Sequence, residues 1–175
     1  MDSKLFYKAI SEFYDLIDIV YFRDYDNSPR KVVFESIGNE EKVLDLCTGT
    51  ATNALKIAKS KPLSEVIGID LSKDMLKTAQ GKVKKSKVQN IKLYHMDATN
   101  MRFQDKFFDK ILLSLVLHEV EENLAEKILA EAKRVLKDDG EIIVTEWEKS
   151  RKFSRRALFL PIDFLEPKPV KLFIE

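Results

Sequence analysis

Apolar residues fall in two rhythms along this chain, and the rhythms alternate. Short, near-continuous apolar runs cover residues 42–46, 65–69, 91–95, 110–115 and 141–147, and these predict strands. Between them lie stretches with apolar positions three and four apart. They predict helices at 50–59, 72–85 and 123–136, the second with Met75, Leu76, Ala79 and Val83 facing inward. Lys137-Asp138-Asp139-Gly140 reads as the turn before the last of these strands. Upstream, Leu5, Phe6, Ala9, Ile10, Phe13, Ile17 and Val20 predict an amphipathic helix with an aromatic face over 3–22. A polar break at 24–29 precedes a short helix at 31–37, stopped by Gly38. Strands separated by helices imply crossover connections and a parallel, doubly wound α/β sheet. Near-continuous apolar strands imply helices on both faces.

Composition bounds this picture without changing it. The 175 residues are 45% hydrophobic and 34% charged, which fits one globular domain. A net charge of +1 gives no case for nucleic acid, and the basic runs at 82–87 and 149–156 read as solvated helix faces. One cysteine excludes an intrachain disulfide and a cysteine-based metal cluster, so no metal is expected. No apolar run is long enough to span a bilayer. The start, Met1-Asp2-Ser3-Lys4-Leu5, lacks a signal-peptide core, so a cytoplasmic setting is expected. The domain divides into a helical lid at 1–38, a cofactor-binding core at 40–148 and a tail at 149–175. Within the tail, 157–165 is apolar, and a last short strand is expected at 170–174. With so few strands after the fifth, the sheet edge is expected to be open, covered by the tail or completed by a second copy. A homodimer through the sheet edge or the tail follows from the last option.

The candidate chemistry gathers at the ends of the predicted strands. The first strand runs into Cys47-Thr48-Gly49-Thr50-Ala51-Thr52, a turn of small residues that opens a helix. Such a turn sets backbone N–H groups and a helix N-terminus beside a ligand. It carries a single glycine, so it makes a poor cradle for a pyrophosphate, which wants Gly-x-Gly-x-x-Gly. Cys47 and Ala51 stand where glycines are usual; Cys47 is therefore expected at negative φ, with an inert, packed thiol. Asp45, Asp70 and Asp97 end successive strands, where the ligand crevice lies. Asp70 follows Gly49 at about the 20-residue spacing of a ribose-binding acid. Each acid alone also reads as a helix N-cap.

These segments resemble the class I S-adenosylmethionine-dependent methyltransferases. The resemblance covers about 40–148 and rests on five stretches in order. They are Val43-Leu44-Asp45-Leu46-Cys47-Thr48-Gly49-Thr50, Ile67-Gly68-Ile69-Asp70-Leu71-Ser72, His95-Met96-Asp97-Ala98, Phe107-Phe108-Asp109-Lys110-Ile111 and Arg134-Val135-Leu136-Lys137-Asp138-Asp139-Gly140. The form Asp-Leu-Cys-Thr-Gly-Thr is most similar to the ubiquinone/menaquinone-biosynthesis branch. The resemblance implies a Rossmann-like sheet with its C-terminal strands reduced, and S-adenosyl-L-methionine as cofactor, released as S-adenosyl-L-homocysteine. It implies that Asp45 and the Cys47–Gly49 backbone border the methionyl part and that Asp70 binds the ribose. Leu71 and Met96 flank the adenine, Asp97 and the Ala98 N–H meet its edge, and the Ser114 carbonyl faces the methionyl amine. Tyr14 matches a tyrosine that closes over the cofactor, and reads equally as a packed aromatic.

After the fourth strand comes Leu115-Val116-Leu117-His118-Glu119. His118 is a candidate general base or acceptor-orienting group, with Glu119 holding its tautomer or binding a cation. His118 reads alternatively as a helix cap or a packed side chain, and His95, inside a strand, reads as structural. No Asn/Asp-Pro-Pro-Tyr segment follows the fourth strand and no Pro-Cys pair is present, which argues against methylation of nucleic-acid bases. The aromatic N-terminal helix and apolar 159–165 suit a roof over a small, apolar acceptor, which the resemblance implies is quinone-like or another apolar metabolite. Two rival readings stay open: a cofactor-binding subunit that is non-catalytic or needs a partner, and a nicotinamide-dependent oxidoreductase.

Overall fold

The computed structural model describes residues 33–146. It contains β1 (Lys42–Leu46), α1 (Thr52–Ser60), β2 (Glu65–Asp70), α2 (Lys73–Ser86), β3 (Ile91–His95), β4 (Phe108–Ser114), α3 (Glu122–Val135) and β5 (Leu136–Thr145). A short 3-10 turn at Leu117–Glu119 lies between β4 and α3. The expected helix at 3–22, Tyr14 and the expected strand at 170–174 lie outside the described residues.

The strands form one parallel sheet in the order β3-β2-β1-β4-β5. The chain winds outward from β1 to β3, then returns to lay β4 against the other side of β1. That reversal makes β1 and β4 the switch point of the sheet. In such folds the crevice between the loops that leave two such strands holds the ligand. β1 is central, with Leu44 paired to Ile67 on one side and Ile111 on the other.

Alternation along the strands builds a core on each face. Val43, Val66 and Leu112 point to one face and pack with Ala54 and Ile57 of α1 and Ala79 of α2. Leu44, Leu46, Ile67, Ile69, Ile111 and Leu113 point to the other and pack with Ile128, Ala132 and Val135 of α3. The apolar runs of β1, β2 and β4 are near-continuous because both faces of these inner strands are covered. α2 begins at Ser72, whose hydroxyl accepts the Met75 N–H at 3.3 Å, with Asp74 in the first turn and Lys84 and Lys85 in the last.

The expected turn at 137–140 is instead a bulge inside β5. α3 passes into β5 with no loop between Val135 and Leu136. Phe108 pairs with Leu136 and Lys110 with Glu141, so two steps along β4 face five along β5. Asp109 anchors the bulge by accepting the Lys42 N–H at 2.8 Å and a hydrogen bond from the Lys137 ammonium. Burial pushes the Asp109 carboxyl up, and Lys137 and the Lys42 N–H outweigh it, holding the group below its ordinary value. Gly140 lies against this strand: a Cβ there would stand 2.8 Å from the Asp109 carbonyl and 2.7 Å from Leu136 Cδ1.

Long side chains fasten the connections. Arg134 of α3 donates to both carboxylate oxygens of Glu131 and to the carbonyls of Met101 and Phe103, and it pairs with Asp105 at 2.6 Å. The Asn90 amide donates to the carbonyls of Ala58, Lys61 and Ser64 at 3.1, 3.1 and 2.9 Å, closing the end of α1 onto the start of β3.

Two glycine substitutions should move stability in opposite directions. Gly81, exposed in α2, has nothing within 4 Å of where a Cβ would stand, so Gly81→Ala should stabilise by about 0.5–1 kcal/mol. Gly140→Ala should destabilise by about 1–3 kcal/mol, because its methyl meets backbone. Urea unfolding of the two variants beside the parent chain measures both, and a neutral Gly140→Ala would contradict the close approach.

Candidate active site

The loop after β1 is held from below by a buried acid. Asp45 is 2% exposed, and its Oδ2 accepts from the Thr48 hydroxyl at 2.5 Å and from the Ala54 N–H of α1 at 3.2 Å. The Thr48 N–H in turn donates to the Ile69 carbonyl at 2.9 Å, fixing the loop to the end of β2. Gly68 makes room for this: a Cβ there would lie 3.0 Å from the Thr48 methyl. Asp45 thus lies beneath the loop and shapes it.

The loop path is left-handed at alternate residues: Cys47 at φ 53°, Gly49 at φ 55° and Ala51 at φ 60°. Cys47 therefore departs from the negative φ expected of it. The Thr48 anchors on either side of its peptide impose the turn, and the chain tolerates a non-glycine residue in a region costing about 1–3 kcal/mol. Ala51 likewise starts α1 without a side-chain cap. Gly49 is the open point of the loop, since nothing lies within 4 Å of where its Cβ would be. A ligand can approach the backbone there. Lys82, expected on a solvated face, reaches from α2 to the Thr50 and Thr52 hydroxyls at 2.9 and 3.0 Å.

The rim of the crevice is acidic. Asp70 accepts the Gly49 N–H at 2.8 Å and the Ser72 N–H at 2.7 Å, one on each oxygen. Burial raises its carboxyl above the ordinary value, opposed by those N–H groups and by nearby His95. Leu71, next to it, is 68% exposed, an apolar side chain presented at the crevice. Met96 is half-buried, and its N–H extends the β2–β3 ladder to the Asp70 carbonyl at 3.1 Å. Asp97 is exposed; its Oδ1 accepts from the Thr99 N–H and hydroxyl, both at 2.8 Å, which holds the carboxyl below its ordinary value. Ala98 is buried in the α3-side core. His95 bonds through Nε2 to the Leu71 carbonyl at 2.9 Å, the structural use expected of it.

The Cys47 thiol reports how these acids converge. It is pushed up to about 12 by burial, then by Asp70, Asp45, Glu119 and Asp97 in turn. A neutral thiol at any physiological pH is not a nucleophile. The same carboxylates give the crevice a negative field, which favours a cationic ligand and opposes a pyrophosphate.

The other wall leaves β4. Ser114 ends that strand, with its hydroxyl accepting from Thr145 at 2.7 Å. Leu115 turns at φ 57° and the chain enters the 3-10 turn. His118 is 8% exposed, and its Nδ1 lies 2.6 Å from Glu146 Oε2. Glu119 Oε1 lies 3.9 Å from the other ring nitrogen, Nε2. The role of ring-holding carboxylate, expected of Glu119, therefore belongs to Glu146. The reason is reach: Glu146 follows the last rung of the β4–β5 ladder and stands beside the turn, whereas Glu119 follows His118 in the turn itself. No motif marks Glu146; its only signal in the sequence is an acid just past the apolar run of β5.

Among the described residues, no helix is long and apolar enough to cross a membrane. The model of the family described as "Methyltransferase domain" matches residues 43–140, the stretch that builds this sheet and its loops. A demethylmenaquinone methyltransferase of Staphylococcus saprophyticus is 36% identical over 143 residues, 80% of this chain and 60% of that protein. A SAM-dependent methyltransferase from Aquifex aeolicus superimposes with a TM-score of 0.62 at 24% identity, covering 78% of each chain. PKMT2 of Rickettsia typhi, solved in complex with AdoHcy, superimposes with a TM-score of 0.56 at 28% identity, covering 60% of this chain and 20% of its own. This chain spans about three-fifths of the length of the curated relatives it matches. With the family match over more than half of the chain, the chain belongs to the methyltransferase-domain family, in its class I, S-adenosylmethionine-dependent form.

Proposed function

We propose that this chain transfers a methyl group from S-adenosylmethionine to a small, apolar, quinone-like acceptor. The observation that carries the reading is the single-glycine loop, open at Gly49 and ringed by Asp70, Asp97 and Glu119, at the switch point of the sheet. The residues suit this cofactor. Asp70 would take the ribose hydroxyls, with Leu71 and Met96 on the adenine faces and Asp97 and the Ala98 N–H at its edge. The Cys47–Gly49 backbone and the Ser114 carbonyl would border the methionyl group, and Tyr14 would close over it. The similarity to demethylmenaquinone methyltransferases supports the acceptor class.

When bound, the cofactor supplies a methyl group already activated on a sulfonium. The protein's part is then mainly orientation, worth on the order of 7–11 kcal/mol. The acidic rim holds the cationic donor, and the apolar surroundings exclude water. A phenolic acceptor becomes a carbon nucleophile when its hydroxyl loses a proton, and His118 is the residue we assign to take that proton. Glu119, near Nε2, would stabilise the imidazolium that results. The single-glycine loop and the family match leave the nicotinamide reading without support. A non-catalytic subunit differs from this proposal in one observable, turnover.

Calorimetry should therefore detect S-adenosylhomocysteine binding and no NAD binding. Methyl-labelled S-adenosylmethionine should label a quinone-containing lipid extract, and binding without labelling of any extract would favour the non-catalytic subunit. Asp70→Ala should weaken S-adenosylhomocysteine about a hundredfold, the loss of two charge-assisted hydrogen bonds, with the helical circular dichroism retained. Unchanged affinity would remove Asp70 from the site.

The raised Asp70 carboxyl also predicts a pH dependence. Ribose hydroxyls donate to the ionised form, so binding lowers the carboxyl's pKa relative to the free protein. Affinity should be full at neutral pH and fall as pH drops through the free-state value, which burial raises above that of an ordinary aspartate. In Asp70→Asn this acid limb should flatten, measured by calorimetry across mildly acidic buffers.

A further inference from the structure

Glu146 makes more contacts at the β4–β5 corner than a structural tie needs. Its Oε1 accepts the N–H groups of Val116 and Leu117 at 2.9 and 2.8 Å, and its Oε2 meets His118 Nδ1 at 2.6 Å. A carboxylate only accepts hydrogen bonds, so the short contact to the ring requires a proton on Nδ1. The carboxylate cannot swing away, because its other oxygen is fixed by two backbone donors. The corner is itself rigid. Ser114 pairs with Thr145, the Leu115 N–H reaches the Thr145 carbonyl at 2.8 Å, and the Thr145 and Ser114 hydroxyls bond at 2.7 Å.

We propose that Glu146 is a positioning residue that fixes His118 in the tautomer with its proton on Nδ1 and its lone pair on Nε2. The inference rests on the reading of His118 as the base: only that tautomer lets Nε2 accept a proton from an acceptor hydroxyl. Burial pushes the Glu146 carboxyl up, but His118 and the Leu117 and Val116 N–H groups outweigh it and keep the group ionised at neutral pH. Glu119 is the other acid near the ring, with its Oε1 3.9 Å from Nε2. Because the ring is 8% exposed, water does not compete for Nδ1 as it does at a surface histidine.

Glu146→Gln separates positioning from a merely structural tie. The glutamine oxygen can still accept from Val116 and Leu117, while its NH2 then faces Nδ1. The ring must carry its proton on Nε2 and loses the accepting lone pair there. The chain has two histidines, so ring ¹⁵N spectra are readily assigned, with His95→Gln as the control. The expected result is an Nδ1–H pattern for His118 in the parent chain and an Nε2–H pattern in Glu146→Gln. Methyl transfer should fall at least a hundredfold, with S-adenosylhomocysteine affinity within about twofold of the parent. An Nε2–H pattern in the parent chain, or the same tautomer in both proteins, would overturn the proposal. The parent spectrum alone tests it if the variant does not fold. A tautomer switch with an unchanged rate would uphold the positioning by Glu146 and remove His118 as the base, so the two failures are distinguishable.

Discussion

The contact on which the rest of this site depends is the hydrogen bond from the Thr48 hydroxyl to the buried Asp45 carboxylate. A carboxylate this deep in a sheet must find donors, because an unpaired one is very costly. Thr48 and the Ala54 N–H supply them, and in doing so they set the path of everything after β1. The loop must curl back over its own strand to bring Thr48 to Asp45. That curl forces the alternating left-handed residues, aims the Gly49 N–H at Asp70 and delivers Ala51 as the first turn of α1. Gly68 belongs to the same device, since any side chain there would displace Thr48. The strain at Cys47 and Ala51 is thus spread over contacts that the fold makes anyway.

The strands were legible in the sequence because both faces of the inner strands are covered. Each central strand had to be a near-continuous apolar run, and its neighbours followed from the strand–helix alternation. The crevice acids were legible for the same reason: a polar residue ending such a run marks where the core stops. What was hidden was decided between segments far apart in the chain. The turn chemistry of Lys137-Asp138-Asp139-Gly140 was readable, yet its place inside a ladder depends on Asp109 and Lys42, on other strands. The φ of Cys47 depends on Thr48 reaching Ile69. Local pattern also cannot tell an acid that faces a ligand from one that holds a loop. Asp45 and Asp70 look alike in sequence, and the structure gives the first to the loop and the second to the rim.

The two walls of the crevice are built on one plan. On the β1–β2 side, Asp70 uses each oxygen for a backbone N–H, one from the glycine loop and one from the start of α2. On the β4–β5 side, Glu146 uses one oxygen for two backbone N–H groups and the other for an imidazole. In each case an acid at the end of a strand, Asp70 closing β2 and Glu146 one residue past β5, captures the loop leaving the neighbouring strand. A parallel sheet makes this economical, because all strands end at one edge and their following loops start together. The difference between the walls lies in what the second oxygen holds. A backbone N–H makes a rigid rim suited to binding, whereas a titratable ring makes a wall that can accept a proton.

That difference bears on why the field of the crevice is negative. A pyrophosphate site needs free N–H groups, and here the Gly49 N–H is spent on Asp70 and the Thr48 N–H on the Ile69 carbonyl. Asp70 is raised by burial while Asp97 is held below its ordinary value by Thr99, and their field faces the crevice. A donor carrying a sulfonium gains from this field on binding, and after it gives up its methyl group the charge is gone. On the proposed reading, that attraction would weaken once the charge is lost, and a fixed field would favour the donor over its product without any moving part. The Cys47 thiol is kept neutral by burial first and by the same carboxylates after it, so it would not compete for the methyl group. On the proposed reading, a site organised this way would need little from the acceptor side except shape, exclusion of water and a single proton-accepting nitrogen.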